Sequence, residues 1–411
     1  TVSISGPSVS LASAGPVTYT VTYADALSGI GSIGLGSSHI SLNTTGTATG
    51  NVAVSGSGLS QRTVTISNIT GNGSIGISIV AGTAQDNAGN VTSAAGPSGT
   101  FVVDTALPTG TVSINSGAVG TASRTVTLAF TMNDPSPSGG TGSAKLQLSN
   151  DNSTWSLYDY ASPPTSWQIT SGDGLKTVYA RFCDDAGNWS SPAATDTINL
   201  DTVAPGTGSV SINGGAMYTS TSSITLTLSA VDPAPSAGLT RMRLSNTNNG
   251  TDWVERAYAT STSWTLPSGD GTKTAYVQFA DAAGNWSGSY LDTIVLDTSS
   301  PTGGIVINKD PGNPSDVYGA PYSNTTSVTL TLNAQGVVST MKLRNAGGTW
   351  GAEEPYVTTK AWTLTSTQGT RYVEAQFKND AGTWSSTVAD SIILDTQVPT
   401  TSLTISGSGG T

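Results

Sequence analysis

Acyl, thiol and zinc chemistry each need particular side chains, and this chain of 411 residues has a single His, His39, and a single Cys, Cys183. A His/Cys zinc site needs more ligands than these two, and a Ser/His/Asp or Cys/His nucleophile would rest on His39 alone. Carboxylates remain. Only four acids are Glu, namely Glu255, Glu353, Glu354 and Glu374, and they share no repeated spacing. A glycosidase sets two carboxyls about 5 to 10 Å apart across a cleft, and nothing in four scattered Glu suggests one. The expectation is therefore a protein that is not an enzyme. Several Asp residues do recur at fixed places, and clustered hard oxygens are what a Ca²⁺ ion takes as ligands.

The recurrence is long-range. Leu-Asp-Thr-x-x-Pro stands at 200–205, 296–301 and 394–399, with the variant Val103-Asp104-Thr105-Ala106-Leu107-Pro108 earlier. Asp104, Asp201, Asp297 and Asp395 are 97, 96 and 98 positions apart. A second marker, Asp86-Asn-Ala-Gly-Asn90, returns at Asp184–Asn188 and Asp281–Asn285 and becomes Asn379-Asp-Ala-Gly-Thr383. All nine Trp fall in three columns: Trp155, Trp253 and Trp350; Trp167, Trp264 and Trp362; Trp189, Trp286 and Trp384. A period this long makes each repeat a whole domain rather than a solenoid turn. The spacing predicts domains at 1–105, 106–203, 204–299 and 300–397, with 398–411 as the first strand of a following unit.

Within a repeat the hydrophobic period is two. Val126, Leu128 and Phe130 alternate with Thr, as do Ile224, Leu226 and Leu228, and Val328, Leu330 and Leu332. Turn clusters such as Ser171-Gly-Asp-Gly174 separate the runs. The expected fold is all-β, a linear array of four antiparallel immunoglobulin-like sandwiches of about seven strands each, plus one strand of a fifth. No Cys pair can staple the sheets, so Trp167, Trp264 and Trp362 are expected to fill the central space.

The run from Lys145 through Trp155, Trp167, Gly-Asp-Gly, Asp-Ala-Gly-Asn188-Trp and Leu-Asp-Thr-x-x-Pro resembles the tandem bacterial immunoglobulin-like repeats of large secreted or surface-attached proteins. The resemblance covers the last three repeats closely, while the first looks like a related Trp-free subtype. It implies an extracellular stalk, adhesin or fibre component, with adjacent Ig-like domains or identical subunits of a filament as partners. It identifies no ligand.

Composition points the same way. The formal charge is −11, with 15 Lys plus Arg against 26 Asp plus Glu, which leaves little to neutralise a phosphate backbone or an anionic membrane. Scarce cysteine in a Ser/Thr/Gly-rich chain fits an oxidising extracellular space. No stretch approaches the ~18 apolar residues of a membrane span. The function read from these features is a rigid spacer or filament segment. The alternative is an adhesin module whose loops at one end of the sandwiches bind a surface glycan or host protein.

Two readings of the Asp-x-Ala-Gly-Asn marker stand side by side. It is a hairpin loop held by an Asx bond, or it is part of a calcium site. The candidates are Asp86, Asn90, Asp104, Asp184, Asp185, Asn188, Asp201, Asp281, Asn285 and Asp297, with the junction Asp201 grouped with Asp184, Asp185 and Asn188. The fourth repeat has Asn379 for the marker Asp and Gln335-Gly336 where earlier repeats have Asp134-Pro135 and Asp232-Pro233, so a site there should be weak or absent. Trp155, Trp253 and Trp350 could stack on sugar rings or pack structurally. Tyr179, Tyr276 and Tyr372 form a cross-strand column, and Cys183 is expected on the same outer face.

The interdomain junctions are Asp104 with Pro108, Asp201 with Pro205, Asp297 with Pro301 and Asp395 with Pro399. Proline fixes φ and pushes its predecessor to extended geometry, so one domain should run almost straight into the next. The strand at 400–406 carries Leu403 and Ile405 on one face and is expected to be covered, by a fifth domain or by donation into a neighbouring subunit.

Overall fold

A computed structural model describes residues 1–135, 144–308 and 319–403. Its strands sort into four sandwiches. In the first, Val2–Ile4, Val17–Tyr23, Gln61–Thr70 and Thr49–Ser55 form one sheet, and Leu11–Ala12, Phe101–Val103, Gly73–Ile79 and Ile40–Thr44 the other, with Ile30–Ile33 and Ala84–Asp86 as a side ribbon. The next three share one plan. A three-stranded sheet (in the second sandwich Thr109–Ile114, Thr125–Asn133 and Ser166–Gln168) faces a five-stranded one (Gly120–Thr121, Ala194–Leu200, Gly174–Cys183, Lys145–Ser149 and Ser156–Asp159). Among the described residues the first sandwich thus has ten strands and the others eight each, against about seven expected.

One pairing per sandwich departs from the antiparallel expectation. Leu11–Ala12, Gly120–Thr121, Tyr218–Thr219 and Tyr322–Ser323 each pair in parallel with the last strand of their own sandwich. The chain reaches these short strands by crossing from one sheet to the other after its first strand. In the later sandwiches the crossing starts at Asn115, Asn213 and Asn308, whose φ of 46°, 47° and 50° suits an Asn side chain. Each Asn Oδ1 accepts the N–H of a threonine on the neighbouring strand (Thr127, Thr225 and Thr329), which fixes the bend.

The alternating runs face inward as their period requires. Val126, Leu128, Leu146, Leu148, Val178, Ala180, Phe182 and Ile198 are buried together in the second sandwich, and equivalent sets fill the third and fourth. The centre belongs to Phe182, Phe279 and Phe377, all fully buried. Trp167, Trp264 and Trp362 do not take that place. They sit half-buried on edge strands, because the indole N–H needs an acceptor and finds it in Asn150, Asn246 and Asn345 at 2.7, 2.8 and 3.0 Å. Cys183 is also placed otherwise than expected: it is 5% exposed rather than on the outer face. The 184–189 loop folds back until Trp189 forms an antiparallel bridge with Cys183.

Pro108, Pro205 and Pro301 are each followed at once by a strand, starting at Thr109, Gly206 and Thr302. Pro108, Pro205 and Pro301 are buried, whereas Pro399 is exposed. The expected strand at 400–406 is not formed over its described part: 401–403 carry no strand and Leu403 is 85% exposed. Ile405 lies outside the described residues.

The chain forms two compact units. One holds Thr1–Ala204 with the loops Asp232–Gly238 and Asp281–Asn285 of the third sandwich, and the other holds Pro205–Val231, Leu239–Ala280 and Trp286–Thr411.

Candidate functional site

Each Leu-Asp-Thr-x-x-Pro segment is locked locally by the same bonds. The Asp Oδ1 accepts the backbone N–H two residues on: Ala106 to Asp104 at 3.1 Å, and Val203 to Asp201, Ser299 to Asp297 and Gln397 to Asp395 at 3.0 Å each. The following Thr reaches into the turn of its own sandwich, as Thr202 donates to Asp173 and Thr298 to Asp270. This is the Asx geometry that short polar side chains favour at turns.

The marker loops are Asx turns as well. Asp184 Oδ1 accepts from Asn188 N at 2.8 Å, Asp281 Oδ1 from Asn285 N at 2.9 Å, and Asp86 Oδ1 from Asn90 N at 2.8 Å. Two of them do more. Asn188 Nδ2 donates to Asp184 Oδ2 and, at 3.0 Å, to the carbonyl of Asp104; Asn285 Nδ2 does the same for Asp281 Oδ2 and the carbonyl of Asp201, at 2.8 Å. The marker of one sandwich is thereby tied to the junction Asp of the sandwich before it.

Two carboxylate triads result: Asp104 with Asp134 and Asp184, and Asp201 with Asp232 and Asp281. Within each, one ligand oxygen per residue lies within 4.8 Å of the others. Asp104, Asp184, Asp201 and Asp281 are buried, and Asp134 and Asp232 half-buried. This corrects the grouping expected from the sequence, where Asp201 joined Asp184, Asp185 and Asn188. The strand Gly174–Cys183 begins opposite Leu200, beside Asp201, and runs away from it, so Asp184 arrives at the opposite end of the sandwich. Asp185 is half-buried and outside the triad, and Asp86 with Asn90 forms an exposed turn apart from both triads. Asp134 and Asp232 were not among the sequence candidates, although their replacement by Gln335 in the fourth repeat had marked them.

Bringing three carboxylates this close, away from water, is costly unless a proton or cation offsets the charge. Asp232 records that cost. Its Oδ2 accepts the Gly238 N–H at 2.9 Å, while its Oδ1 is buried with no hydrogen-bond partner. Burial, and then repulsion from Asp201 and Asp281, hold its carboxyl above the usual range. All-oxygen donors, together with the one buried carboxylate oxygen of Asp232 that no hydrogen bond engages, suit a hard divalent ion such as Ca²⁺.

The loops of the second triad are seated on the sandwich before them. Ala237 N donates to Asp201 Oδ2 at 2.8 Å and Asn199 Nδ2 to the Ser236 carbonyl at 2.6 Å. A side-chain carbon at Gly120 would come within 3.0 Å of Ala237 Cβ and 3.2 Å of Ala283 N, so glycine gives this close approach its room.

The third joint is built without the triad. Asn379 replaces the marker Asp and donates its amide to Asp297 Oδ2 at 2.9 Å and to the Ser299 carbonyl at 3.0 Å. Thr383 still closes the turn, its N–H donating to Asn379 Oδ1 at 2.7 Å. Gln335 lines the same cleft. One carboxylate faces neutral amides here, and a hydrogen bond serves where the other joints gather charge.

The aromatic columns are occupied by cations. Arg181 lies 4.3 Å from the Trp155 ring, Arg243 between Trp253 (5.2 Å) and Trp286 (4.4 Å), and Lys342 between Trp350 (5.1 Å) and Trp384 (4.2 Å). Asn188, a formal glycosylation sequon, spends its amide on Asp104 and Asp184.

No family model and no curated protein matches the chain. Among solved structures it is similar to the fibronectin(III)-like modules of CbhA from Clostridium thermocellum, at 12% identity over 48% of this chain and 100% of that one, with a TM-score of 0.30. It is also similar to the FN1-FN3 domains of chicken CNTN1, at 12% identity over 71% of this chain and 98% of that one, with a TM-score of 0.29.

Proposed function

We propose that this chain is a non-enzymatic extracellular spacer, a segment of a surface stalk or filament in which bound Ca²⁺ stiffens the first two joints. The carrying observation is the pair of buried Asp triads set against the Asn379–Asp297 joint of the same chain. In this reading Asp104, Asp134 and Asp184 hold one ion and Asp201, Asp232 and Asp281 another. The ion supplies positive charge to three oxygens that otherwise repel. The protein supplies orientation: Ala106, Val203, Asn188 and Asn285 fix the carboxylates through backbone N–H bonds before any ion arrives. Calcium modules outside cells bind at roughly 10⁻⁴ to 10⁻³ M, and an affinity in that range would keep the joints loaded in an extracellular medium.

The competing reading, a glycan-binding adhesin face, would need free aromatic rings. The Trp columns are instead half-buried against Arg and Lys, which favours a packing role.

Calorimetric titration of the whole chain with Ca²⁺ tests the proposal. Two sites are expected. Asp232→Asn with Asp281→Asn should remove one, and Gln335→Asp with Asn379→Asp should create a third. No heat of binding at millimolar Ca²⁺, or a count unchanged by both pairs of substitutions, would overturn it.

A further inference from the structure

Three Asn-Gly pairs occur in the chain, Asn72-Gly73, Asn213-Gly214 and Asn249-Gly250. Such a pair can modify itself. Glycine has no side chain to hinder its amide nitrogen, which can attack the Asn Cγ. A C–N bond forms, the side-chain nitrogen leaves as ammonia, and a five-membered succinimide remains. Water then opens the ring at either carbonyl, giving Asp or isoaspartate and one added negative charge. The reaction needs water alone and transfers no electrons.

The attack requires the Asn side chain to swing toward the following nitrogen, so the bonds that hold each Asn decide its rate. Asn72 Oδ1 accepts from Thr105 N at 2.8 Å, and its carbonyl accepts from Thr47 N at 2.8 Å. Gly73 is packed so tightly that an added carbon would lie 2.0 Å from the Thr45 carbonyl. Asn213 is exposed, yet it is pinned to the neighbouring strand at both ends: its N–H donates to Thr225 O at 2.8 Å and its Oδ1 accepts from Thr225 N at 2.9 Å. Asn249 is exposed too, but its side-chain oxygen meets only Thr251, two residues on, at 3.1 Å from both the N–H and Oγ1. Gly250 stands in open space. Freeing Asn249 disturbs one local turn, whereas freeing Asn213 breaks a cross-strand lock and freeing Asn72 breaks a packed loop.

We propose that Asn249 is a site of spontaneous deamidation, and that the fold preserves Asn72 and Asn213 as amides. The product places a new charge in the loop where Asp252 accepts from Ser245 Oγ at 2.7 Å and Thr247 Oγ1 at 2.9 Å. Deamidation at Asn249 thus marks the third sandwich and leaves both neighbours unchanged.

Peptide mapping by mass spectrometry of the intact folded chain, aged in mildly alkaline buffer, tests this. The peptide holding Asn249 should gain one mass unit about tenfold faster or more than those holding Asn72 or Asn213, the factor expected when cross-strand or packed-loop hydrogen bonds, worth about 1 kcal/mol or more, must open instead of a local turn. In urea the three rates should converge, and Gly250→Ala should slow Asn249 alone. Equal folded rates for Asn249 and Asn213, or an Asn249 that reacts in urea and stays unmodified when folded, would overturn the proposal.

Discussion

The second and third joints use one backbone plan with opposite charge chemistry. At the second, Asp201, Asp232 and Asp281 converge, and Asn285 holds the marker to the preceding carbonyl. At the third, the amide has moved to the marker position itself, where Asn379 grips Asp297 directly, and Gln335 stands where an acid would. The turn geometry survives the exchange, since Asn285 N to Asp281 and Thr383 N to Asn379 are equivalent bonds. Loop shape is therefore set by the Asx bond and glycine, while the charge of the joint is free to vary. One joint closes by itself, and the other leaves a repulsion that something must neutralise.

The largest expected effect is one on which the two kinds of joint should agree. Gly110 and Gly303 follow their prolines by two residues, and an added carbon at either would lie 2.4 or 2.6 Å from a Phe182 or Phe377 ring carbon. Gly110→Val and Gly303→Val should each cost about 3 kcal/mol by overpacking the core, measured by urea unfolding. A large difference between them would mean that the joints differ in packing as well as charge.

Acid should act with opposite sign on the second triad and on the turns of the first sandwich. Asp232 takes up its proton more readily folded than unfolded, so in chelator its penalty is present at neutral pH and relieved as pH falls through its raised value. Asp25 and Asp86 in the first sandwich behave oppositely. Backbone and side-chain bonds from Ser28 and Asn90 hold them below the usual range, so their stabilisation is present above the ordinary carboxylate value and lost as pH falls through the lowered one. Hydrogen exchange, corrected for intrinsic rate, should slow at Ala237 and Gly238 on mild acidification and quicken at Ser28 and Gly29 only under stronger acid. Matching responses at both places would refute the opposed signs.

Much of this was readable in the chain. Alternation of Val126, Leu128 and Phe130 placed a core face, and the repeat of Asp104, Asp201 and Asp297 located the joints. The pairing of the acids was not readable from adjacency in sequence. Asp184 stands 17 residues before Asp201 but at the other end of a sandwich, because one antiparallel strand return separates them. Cys183 misled for a related reason. Period two assigns it outward beside inward Phe182, but the strand ends there, the returning loop bridges back to it at Trp189, and Cys183 is buried. Burial pushes its thiol up to about 11, so it should resist a thiol reagent at neutral pH until the second sandwich unfolds.

The smallest expected effect tests whether repeats compensate elsewhere as they do at the joints. Gln147 pairs across strands with Arg181, Arg243 bonds Gln278 at 2.6 Å, and Lys342 pairs with Gln376. The second sandwich thus carries its cation on the opposite strand from the third and fourth, yet in each case the cation stacks on Trp155, Trp253 or Trp350. If the stack is what matters, Arg181→Gln alone should cost about 0.5 to 1 kcal/mol, the range for an exposed cation–π contact. Adding Gln147→Arg should restore most of it by rebuilding the arrangement of the third sandwich. A double-mutant cycle by urea unfolding reads the coupling directly. Additive losses would show that the strand position of the charge matters and the ring contact does not, and the aromatic column would then return to consideration as a surface free to bind.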